Sequence, residues 1–340
     1  MKLGIVGLPS SGKKTVFETL TQIASSGESK SEHKVGTVKV PDQRVGILSD
    51  MYHPKKTIYA QVEYFLPGRQ GAKKDQSVWT PVRDSDALIH VVRNFASYGL
   101  EEPTPAADVR YLNQEMVLAD LVVIEKRMET LNLEKQRGKK FNVEEFELLE
   151  QCLTVLESET PLREEPELAM APLLKGFTFI SAKPLLVLYN NGDDDVNLPE
   201  MDDPSGTENA VVIRGSLENE LSQMTDEEAA DFLQEFEIED SAKDRVISKS
   251  YDLLGLISFF TVGEDEVRAW TIRRDTIAVD AADVIHSDIK KGFIRAEVLY
   301  YDDLMDAGDY QNARKKGTVR LEGKTYVVKN GDIINFRFNV

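Results

Sequence analysis

The residues best suited to chemistry lie near the start of the chain, in GLPSSGKKTVF, residues 7–17. Gly7, Gly12 and Lys13 match the phosphate-loop pattern G-x-x-x-x-G-K-[ST]. In that pattern the glycines let the backbone wrap a phosphate, and the lysine reaches the terminal phosphates as a point charge. Phosphate binding is therefore the predicted chemistry. A glycine turn followed by two surface lysines is the alternative.

The last position of the pattern bears on whether the loop can ligate a metal ion. A Ser or Thr there ligates the magnesium that bridges the two outer phosphates, but this chain has Lys14, which cannot ligate a cation. Thr15 is adjacent, yet one residue further along a helix turns the side chain by about 100°. Lys14 either places its ammonium where the metal would lie or faces solvent.

The apolar pattern predicts the elements that position this loop. Residues 3–8 (LGIVGL) form a short apolar run that contains Gly7 and is followed by Pro9, which predicts a buried strand turning into a helix that begins near Lys13. Further strands are predicted at 60–66, 87–93, 184–189 and 210–214. Apolar strands separated by helical segments favour an α/β fold, with a mainly parallel sheet covered by helices on both faces.

Between residues 93 and 184 the apolar period becomes helical. The recurring residues are Val117, Leu121, Ile124, Met128 and Leu131, then, after a break at Gly138-Lys139-Lys140, Phe146, Leu149, Leu153 and Leu156. This pattern predicts an antiparallel helical hairpin, inserted at about residues 105–170. Its charged faces are either solvated or an arm for a partner. Cys152 follows the apolar pattern, and as a lone cysteine it is predicted to be buried core.

From about residue 251 the pattern changes to short strands. They are ISFFTV, VRAWTI, RAEVLYY, TVRLEG and KTYVVKNGDIINFRFNV, with a turn signal at 329–332 and helices at 280–290 and 302–315. His286 falls inside the first of these helices, where we expect a structural role. We therefore predict two domains: residues 1–250, which contain the phosphate loop and the hairpin, and residues 251–340, an α+β module with a mixed sheet.

Charge and composition restrict the partners. The formal net charge of −18 disfavours bulk electrostatic coating of nucleic acid, so we expect no DNA binding, and RNA contact would need a local basic patch. The candidate patch is Lys290, Lys291, Arg314, Lys315, Lys316 and Arg320, with solvated side chains as the alternative. No apolar run approaches the roughly 18 residues of a membrane span. We expect a cytoplasmic protein without a membrane partner.

Several segments together resemble a known family. GIVGLPSSGKKTVFETLT, VGTVKVPDQRVGILSDMYHPKKTIYAQVEY, DSDALIHVVR, LADLVVIEKRM and AKPLLVLYN are similar to successive landmarks of the YchF family, the Obg-like ATPases, which are P-loop GTPases of the TRAFAC class. The segment that begins FFTVGEDEVRAW resembles that family's C-terminal TGS domain, a ubiquitin-like β-grasp. The resemblance implies that ATP or GTP binds the first domain, and that the TGS domain and the hairpin contact RNA or the ribosome.

The departures from the family pattern lie in the segments that bind phosphate and magnesium in the family. The family has GLPNVGKST, so Ser10 and Ser11 replace Asn-Val, and Lys14 replaces the serine that ligates the metal. After the strand at 60–66 the family has Asp-Ile-Ala-Gly, whose aspartate holds magnesium through water. This chain has Phe65-Leu66-Pro67-Gly68 there, without a carboxylate.

Both switch segments of the family also differ. SSGESKSEHKVG, residues 25–36, replaces the first switch and its threonine, and its polar composition is typical of a mobile segment. The glycine-rich second switch is shortened to RQGAKKDQ, residues 69–76. Because phosphoryl transfer depends on the metal and on positioning, we expect no organised magnesium and weak or absent hydrolysis. The alternative is an active Obg-like ATPase or GTPase that regulates translation or the stress response.

Base recognition rests on a second motif. Asn190-Asn191-Gly192-Asp193 has the N-x-x-D spacing with which GTPases recognise guanine, whereas the YchF family usually has N-x-x-E and prefers adenine. Asp193 can accept hydrogen bonds from N1 and N2 of guanine; a fortuitous match in an acidic run is the alternative. Arg214-Gly215-Ser216 stands where the family's Ser-Ala-Lys loop packs on the base. The predicted nucleotide-binding residues are Pro9, Ser10, Ser11, Gly12, Lys13, Lys14, Thr15, Asn190, Asp193, Gly215 and Ser216; no catalytic residue or metal ligand is predicted.

Overall fold

A computed structural model divides the chain into two compact units. It describes residues 1–23, 32–68, 79–139, 142–201, 206–207, 209–221, 224, 228 and 241–339. The first unit comprises Met1–Thr37 and Glu63–Val246, and the second comprises Val38–Val62 and Ile247–Val340. Most of the segment 25–36 and the whole of 69–76, which we predict to replace the family's switches, lie outside the described residues.

The secondary structure alternates between strands and helices. The strands are β1 Lys2–Val6, β2 Lys34–Lys39, β3 Lys56–Ile58, β4 Gln61–Leu66, β5 Ala87–Asn94, β6 Leu185–Asn191, β7 Ala210–Ile213, β8 Leu256–Thr261, β9 Glu266–Arg273, β10 Phe293–Tyr300, β11 Arg320–Glu322 and β12 Asp332–Phe338. The α-helices are α1 Lys13–Thr21, α2 Gln43–Tyr52, α3 Pro105–Gln136, α4 Val143–Glu157, α5 Pro166–Ala169, α6 Gly215–Leu221, α7 Ala242–Leu253, α8 Ala278–Ile285, α9 Ser287–Lys291, α10 Tyr301–Ala307 and α11 Tyr310–Lys316. Short 3₁₀ helices lie at Thr80–Val82, Leu162–Glu164 and Pro172–Phe177.

The first unit is built on a sheet with strand order β2-β4-β1-β5-β6-β7. β1 pairs in parallel with β4 and β5, and β6 pairs in parallel with β5 and β7. This confirms the predicted α/β fold. Because parallel strands end at the same edge, the loops that follow β1, β6 and β7 are brought to one edge of the sheet.

A histidine lies in the middle of this sheet. Val6, His90 and Val187 are in register on β1, β5 and β6. His90 is completely buried, and neither ring nitrogen has a hydrogen-bond partner among the described residues. Burial, helped by the nearby charges of Arg163 and Lys13, lowers the pKa of His90 to about 3, so the ring is neutral near pH 7.

The predicted hairpin is confirmed as helices α3 and α4. Their facing sides bury a shared apolar cluster that includes Ile124, Leu131 and Leu149, and Arg127 donates two hydrogen bonds to Glu145 across the hairpin, at 2.6 and 3.0 Å. Cys152 is part of the same cluster. Burial raises the pKa of its thiol to about 11, so it is core filler and not a nucleophile.

One carboxylate attaches α3 to the chain just before β6. Asp120 is fully buried and accepts hydrogen bonds from the backbone amides of Ile180 and Ser181 at 3.0 and 2.7 Å, with Arg83 Nη1 at 3.6 Å. Burial raises the pKa of this carboxyl despite those donors. The hairpin is therefore joined to the sheet domain by hydrogen bonds as well as by the chain.

The second unit is a mixed sheet with strand order β11-β10-β12-β8-β9-β3. β8 and β9 form an antiparallel pair, β12 runs parallel to β8, and β10 is antiparallel to β12. Helix α8 packs across one face, where Ala278, Ala281 and Ala282 are buried in a cluster with side chains such as Phe259 and Phe336. The predicted arrangement, a mixed sheet crossed by a helix, is confirmed.

One segment lies in a different unit from the one predicted. Residues Val38–Val62 belong to the second unit, because β3 pairs in parallel with β9 through Lys56↔Glu266. The predicted boundary at residue 250 lies close to Ile247, where the chain re-enters the second unit. A pairing between such distant parts of the chain leaves no local pattern in the sequence.

Three predicted elements of the second unit are corrected. The helix at 280–290 divides into α8 and α9, because His286 has extended backbone and its Nδ1 accepts from the amide of Asp288 at 3.2 Å, which caps α9. The helix at 302–315 divides into α10 and α11 at Gly308, which has φ +81°. The run KTYVV forms one bridge, Ile277↔Val327, and not a strand. None of the described helices is both long enough and apolar enough to cross a membrane.

Candidate functional site

The loop between β1 and α1 needs glycine at two positions. Gly7 has φ +148°, and a Cβ there would lie 2.4 Å from the carbonyl oxygen of Val91. Gly12 has φ +93°, and a Cβ there would lie 2.2 Å from Asn190 Nδ2. Any side chain would strain the backbone and collide with the neighbouring strand ends. The two glycines of the motif are thus required by the fold of the loop.

Lys13 lies within the curve of this loop. Its Nζ donates hydrogen bonds to the carbonyl oxygens of Gly7 at 2.8 Å and Leu8 at 2.6 Å. Within the described residues, no side chain caps the N-terminus of α1 and no acidic residue occupies its first turn. The first-turn amides and the lysine charge therefore favour an anion at this helix end.

Asn190, at the end of β6, connects the phosphate loop to the loop after β7. Its Nδ2 donates to the carbonyl oxygen of Ser11 at 3.2 Å, and its Oδ1 accepts from the amide of Gly215 at 3.0 Å. The Asn190 side chain is buried, as is Ser11, whose hydroxyl has no partner among the described residues. One carboxamide thus fixes the spacing between the predicted phosphate and base sites.

The predicted base-binding residues lie at the same sheet edge. Asp193 is exposed, and its carbonyl oxygen accepts a hydrogen bond from Arg214 Nη1 at 3.3 Å. Asn191 stabilises this loop by donating to the carbonyl oxygens of Asp195 and Asn197 at 3.1 and 2.7 Å. Ser216 is exposed near the start of α6.

The remaining loop residues are less enclosed. Pro9 and Ser10 are exposed on the outside of the loop, and Thr15 is half-buried in the first turn of α1. Lys14 is 62% exposed, and its Nζ lies 3.6 Å from Glu18 Oε1, one turn further along α1. This geometry favours the solvent-facing alternative for Lys14 over an ammonium held at the metal position.

The segment after β4 and the possible metal-ligating side chains bear on whether the described residues could hold a magnesium ion. The segment at the end of β4, residues 65–68, has no carboxylate. Its contacts are of other kinds: the amide of Gly68 donates to His33 Nδ1 at 3.0 Å, and the Lys2 ammonium lies 4.3 Å from the ring centroid of Phe65. Across the part of the chain that the structure describes, no group of three or more His, Cys, Asp or Glu side chains could hold a metal. That no residue of this loop ligates a metal remains a prediction.

Most residues of the candidate RNA patch are paired with acids. Lys290 Nζ lies 3.0 Å from both Asp280 and Asp283, and the hydrogen bonds to these two carboxylates raise its pKa. Lys291 lies 3.4 Å from Asp288, and Lys316 Nζ donates to the carbonyl oxygen of Asp306. Arg320 lies 3.9 Å from both Glu322 and Asp332. Lys315 is exposed on α11.

Arg295 and Arg337, which form a cluster with the predicted patch residue Arg314, were not predicted from the sequence. Arg295 on β10 lies directly opposite Arg337 on β12, and Arg314 and Arg337 both donate to the buried carboxylate of Glu297. Like charges directly opposite on neighbouring strands disfavour pairing. The alternation of charged and apolar residues in R-A-E of β10 and N-F-R of β12 indicates which side chains share a sheet face. It locates the cluster only when the register of the two strands is known.

The chain is similar to known proteins over almost its whole length. A family model named YchF-GTPase_C, described as a protein of unknown function (DUF933), matches residues 256–339. A Bacillus subtilis protein named ribosome-binding ATPase YchF is 37% identical, with 99% of each chain covered. The protein of the same name from Escherichia coli O157:H7 is 34% identical, covering 100% of this chain and 99% of its own. The solved Schizosaccharomyces pombe YchF GTPase is 28% identical with a TM-score of 0.82, covering 99% and 97% of the two chains.

Asn190→Ala tests the connection between the two loops. We expect the free energy of unfolding of the first unit to fall by about 1–3 kcal/mol, because Ser11 and Gly215 lose their buried hydrogen-bond partner. Affinity for ADP and GDP should fall at least about tenfold, since the loops no longer hold their spacing. Urea unfolding and calorimetric titration measure the two effects.

Asn197→Ala is the matched control for this substitution. Asn197 is exposed in the same loop, and its hydrogen bonds with Asn191 and Asp195 are made by its main-chain atoms. Its removal should change neither stability nor affinity measurably. Equal behaviour of the two variants would contradict the role given to Asn190.

Proposed function

Because the chain belongs to the YchF family, we propose that it is a purine nucleotide-binding protein that associates with ribosomes or RNA and hydrolyses its nucleotide weakly or not at all. The observation that carries the proposal is a contrast within one loop: the Lys13 ammonium lies inside the loop on the carbonyl oxygens of Gly7 and Leu8, whereas Lys14, at the metal-ligand position, lies near Glu18. A cytoplasmic location follows from the proposed partners.

The geometry of the loop supports nucleotide binding. The backbone curves around the ammonium of Lys13, the N-terminal amides of α1 are uncapped by side chains, and Asn190 joins the loop to the predicted base site. These groups recognise a phosphate by charge and by hydrogen bonds. Pro9, Ser10, Thr15 and Ser216 are proposed as peripheral contacts.

The proposal of weak hydrolysis rests on residue types. Transfer of the outer phosphate needs a metal that neutralises developing charge and a positioned water. Lys14 replaces the hydroxyl ligand, and Phe65 to Gly68 offer no carboxylate. Loss of both the hydroxyl and the carboxylate should raise the free-energy barrier to phosphoryl transfer by several kcal/mol. Binding without turnover then becomes the expected behaviour.

The names of the relatives support a ribosomal partner, since several are called ribosome-binding ATPases. On this acidic chain, two exposed basic surfaces can meet phosphates. One is the arginine cluster Arg295, Arg314 and Arg337, to which Lys315 adds charge. The other is the hairpin turn, where Lys135, Arg137 and Lys139 are exposed.

The arginine cluster is the stronger of the proposed RNA contacts. Glu297 is 8% exposed, and its carboxylate is shared by Arg314 and Arg337. With Arg295 opposite Arg337, positive charge is in excess among these described side chains. Lys290 instead has two aspartates at 3.0 Å, which neutralise it. We therefore propose that the second unit contacts RNA through Arg295 and Arg337 more than through Lys290 or Lys291.

The competing function is an active ATPase or GTPase whose turnover times its release from ribosomes. It is favoured by the similarity, over nearly the full length, to proteins named as ATPases and a GTPase. The two proposals agree on nucleotide binding and differ on magnesium. A scaffold that binds no nucleotide is the third outcome.

Titration with ATP, GTP, ADP and GDP, with and without magnesium, separates these functions. We expect binding whose affinity changes less than about threefold on adding magnesium, and phosphate release no faster than without protein, because the metal supports are absent. Lys14→Ser should change affinity less than about threefold, since the side chain is exposed and its pair with Glu18 is weak. Magnesium-dependent turnover would favour the active enzyme, and absence of all binding would favour the scaffold.

The double variant Arg295→Gln, Arg337→Gln tests the ribosome contact. We expect binding to purified ribosomes to weaken about tenfold, with a shallower dependence on salt, because two phosphate contacts are lost. Lys290→Gln is the matched control and should bind within about twofold of the original protein, since its charge is already neutralised. Cosedimentation at several salt concentrations measures both variants. The proposal fails if the double variant binds normally or the control loses as much.

A further inference from the structure

The connecting segment Val38–Val62 belongs to the second unit, but it begins and ends in strands of the first unit's sheet. β2 leads into the segment and β4 leads out of it, so each of these strands crosses from one unit to the other. The two ends of the segment lie together, because the amide of Val40 donates to the carbonyl oxygen of Ala60 at 2.8 Å. The segment is therefore attached at both ends to the sheet that carries the phosphate loop.

A close packing contact connects β2 to the helix that follows the phosphate loop. Gly36 of β2 lies against the end of α1: a Cβ there would come within 2.3 Å of Thr21 Cγ2 and 3.3 Å of Ile23 Cδ1. α1 is only nine residues long, and its other end is the proposed phosphate site. Because closely packed elements transmit displacement, a phosphate that fixes α1 should also fix β2.

Within the second unit the connecting segment supplies an edge strand and a helix. β3, Lys56–Ile58, pairs in parallel with β9 over its whole length. Helix α2 packs against the same strand and completely buries Val45 and Leu48. The sheet of the second unit is therefore completed by residues that come from between β2 and β4.

Arg44 of α2 connects this segment to the turn before β12. Its Nη2 donates to Asn330 Oδ1 at 3.0 Å, and its Cζ lies 5.0 Å from the ring centroid of Phe260 on β8. Asp42 orients the guanidinium by accepting from Nε and Nη2 at 2.9 and 2.8 Å. Gly331 leaves room for it, since a Cβ there would lie 2.9 Å from Nη1. The side chain is 28% exposed, so its charge-assisted hydrogen bonds are less screened than those of a surface ion pair.

We propose that binding of a nucleotide phosphate at the start of α1 is transmitted through β2 and the connecting segment to the turn at residues 329–331, and that Arg44 is the residue that transmits it. This inference rests on the proposed nucleotide binding. Each step passes through residues in contact or along the chain: α1 to β2 at Gly36, β2 to α2, and α2 to the turn at Asn330. When such a series is fixed at one end, its last element opens less often. The second unit thereby responds to whether the nucleotide site is filled.

Amide hydrogen exchange of the full chain, with and without a saturating nucleoside diphosphate, tests this transmission. The diphosphate is ADP or GDP, whichever binds more tightly. The amide of Gly331 donates to the carbonyl oxygen of Ser258 at 2.9 Å, so its exchange reports opening of the turn. We expect the nucleotide to slow exchange about fivefold or more in residues 7–16, 40–60 and 328–332.

Two variants cut the hydrogen bond between α2 and the turn from its two sides. Arg44→Gln should remove the response at residues 328–332, because Asn330 loses its donor, while residues 7–16 respond as in the original protein. Asn330→Ala should have the same effect. Agreement of the two variants separates loss of this bond from a folding defect of either one.

Lys55→Gln is the matched control. Lys55 is a cation of the same segment and pairs with Asp265 at 2.7 Å, but the two side chains are 78% and 87% exposed. Such an exposed pair contributes little, so its loss should leave every response to the nucleotide unchanged.

Each result bears on a separate claim. Slower exchange at residues 7–16 without the same change at 40–60 and 328–332 would overturn the transmission while leaving nucleotide binding intact. A response at 328–332 that survives both Arg44→Gln and Asn330→Ala, or that Lys55→Gln removes equally, would overturn the role of Arg44. No change at 7–16 with either saturating nucleotide would overturn the proposed function itself, and the transmission with it.

Discussion

The close approach of the phosphate loop to the end of β6 is the constraint on which the candidate site depends. Gly12 lies so near Asn190 that a Cβ would come within 2.2 Å of its Nδ2, and the same side chain bonds Ser11 and Gly215. The parallel sheet makes this possible, because β1, β6 and β7 all end at one edge. One buried carboxamide thereby connects the two halves of the proposed nucleotide site.

The two neighbouring lysines of the loop make different contacts. Lys13 is held by carbonyl oxygens of the loop, so its charge is fixed at the end of α1. Lys14 is mostly exposed and lies near Glu18 on the outer surface of the same helix. The proposed phosphate binding uses Lys13, whereas phosphoryl transfer also needs a metal, which a lysine at position 14 cannot ligate. The proposed function follows from that difference.

The sequence predicted what depends on local pattern. Gly7, Gly12 and Lys13 follow from a strand, loop and helix that are contiguous in the chain, and the hairpin follows from a helical apolar period. The strand β3 could not be predicted, because its parallel partner β9 lies far along the chain. For the same reason the cluster of Arg295 and Arg337 was not predicted. The two residues are distant in the chain, and they lie opposite each other because of the register in which β10 pairs with β12. The sequence left two directions open for the Lys14 side chain, and the structure places its Nζ 3.6 Å from Glu18 Oε1.

Amide hydrogen exchange of residues 7–16 tests most directly whether this loop binds a nucleotide without a metal. The full chain would be compared with and without GDP, in EDTA and then in magnesium. Phosphate held by the loop and by the first turn of α1 should slow the exchange of these amides, and by a similar factor in both solutions. Slower exchange only with magnesium, or no change with saturating nucleotide, would contradict the account.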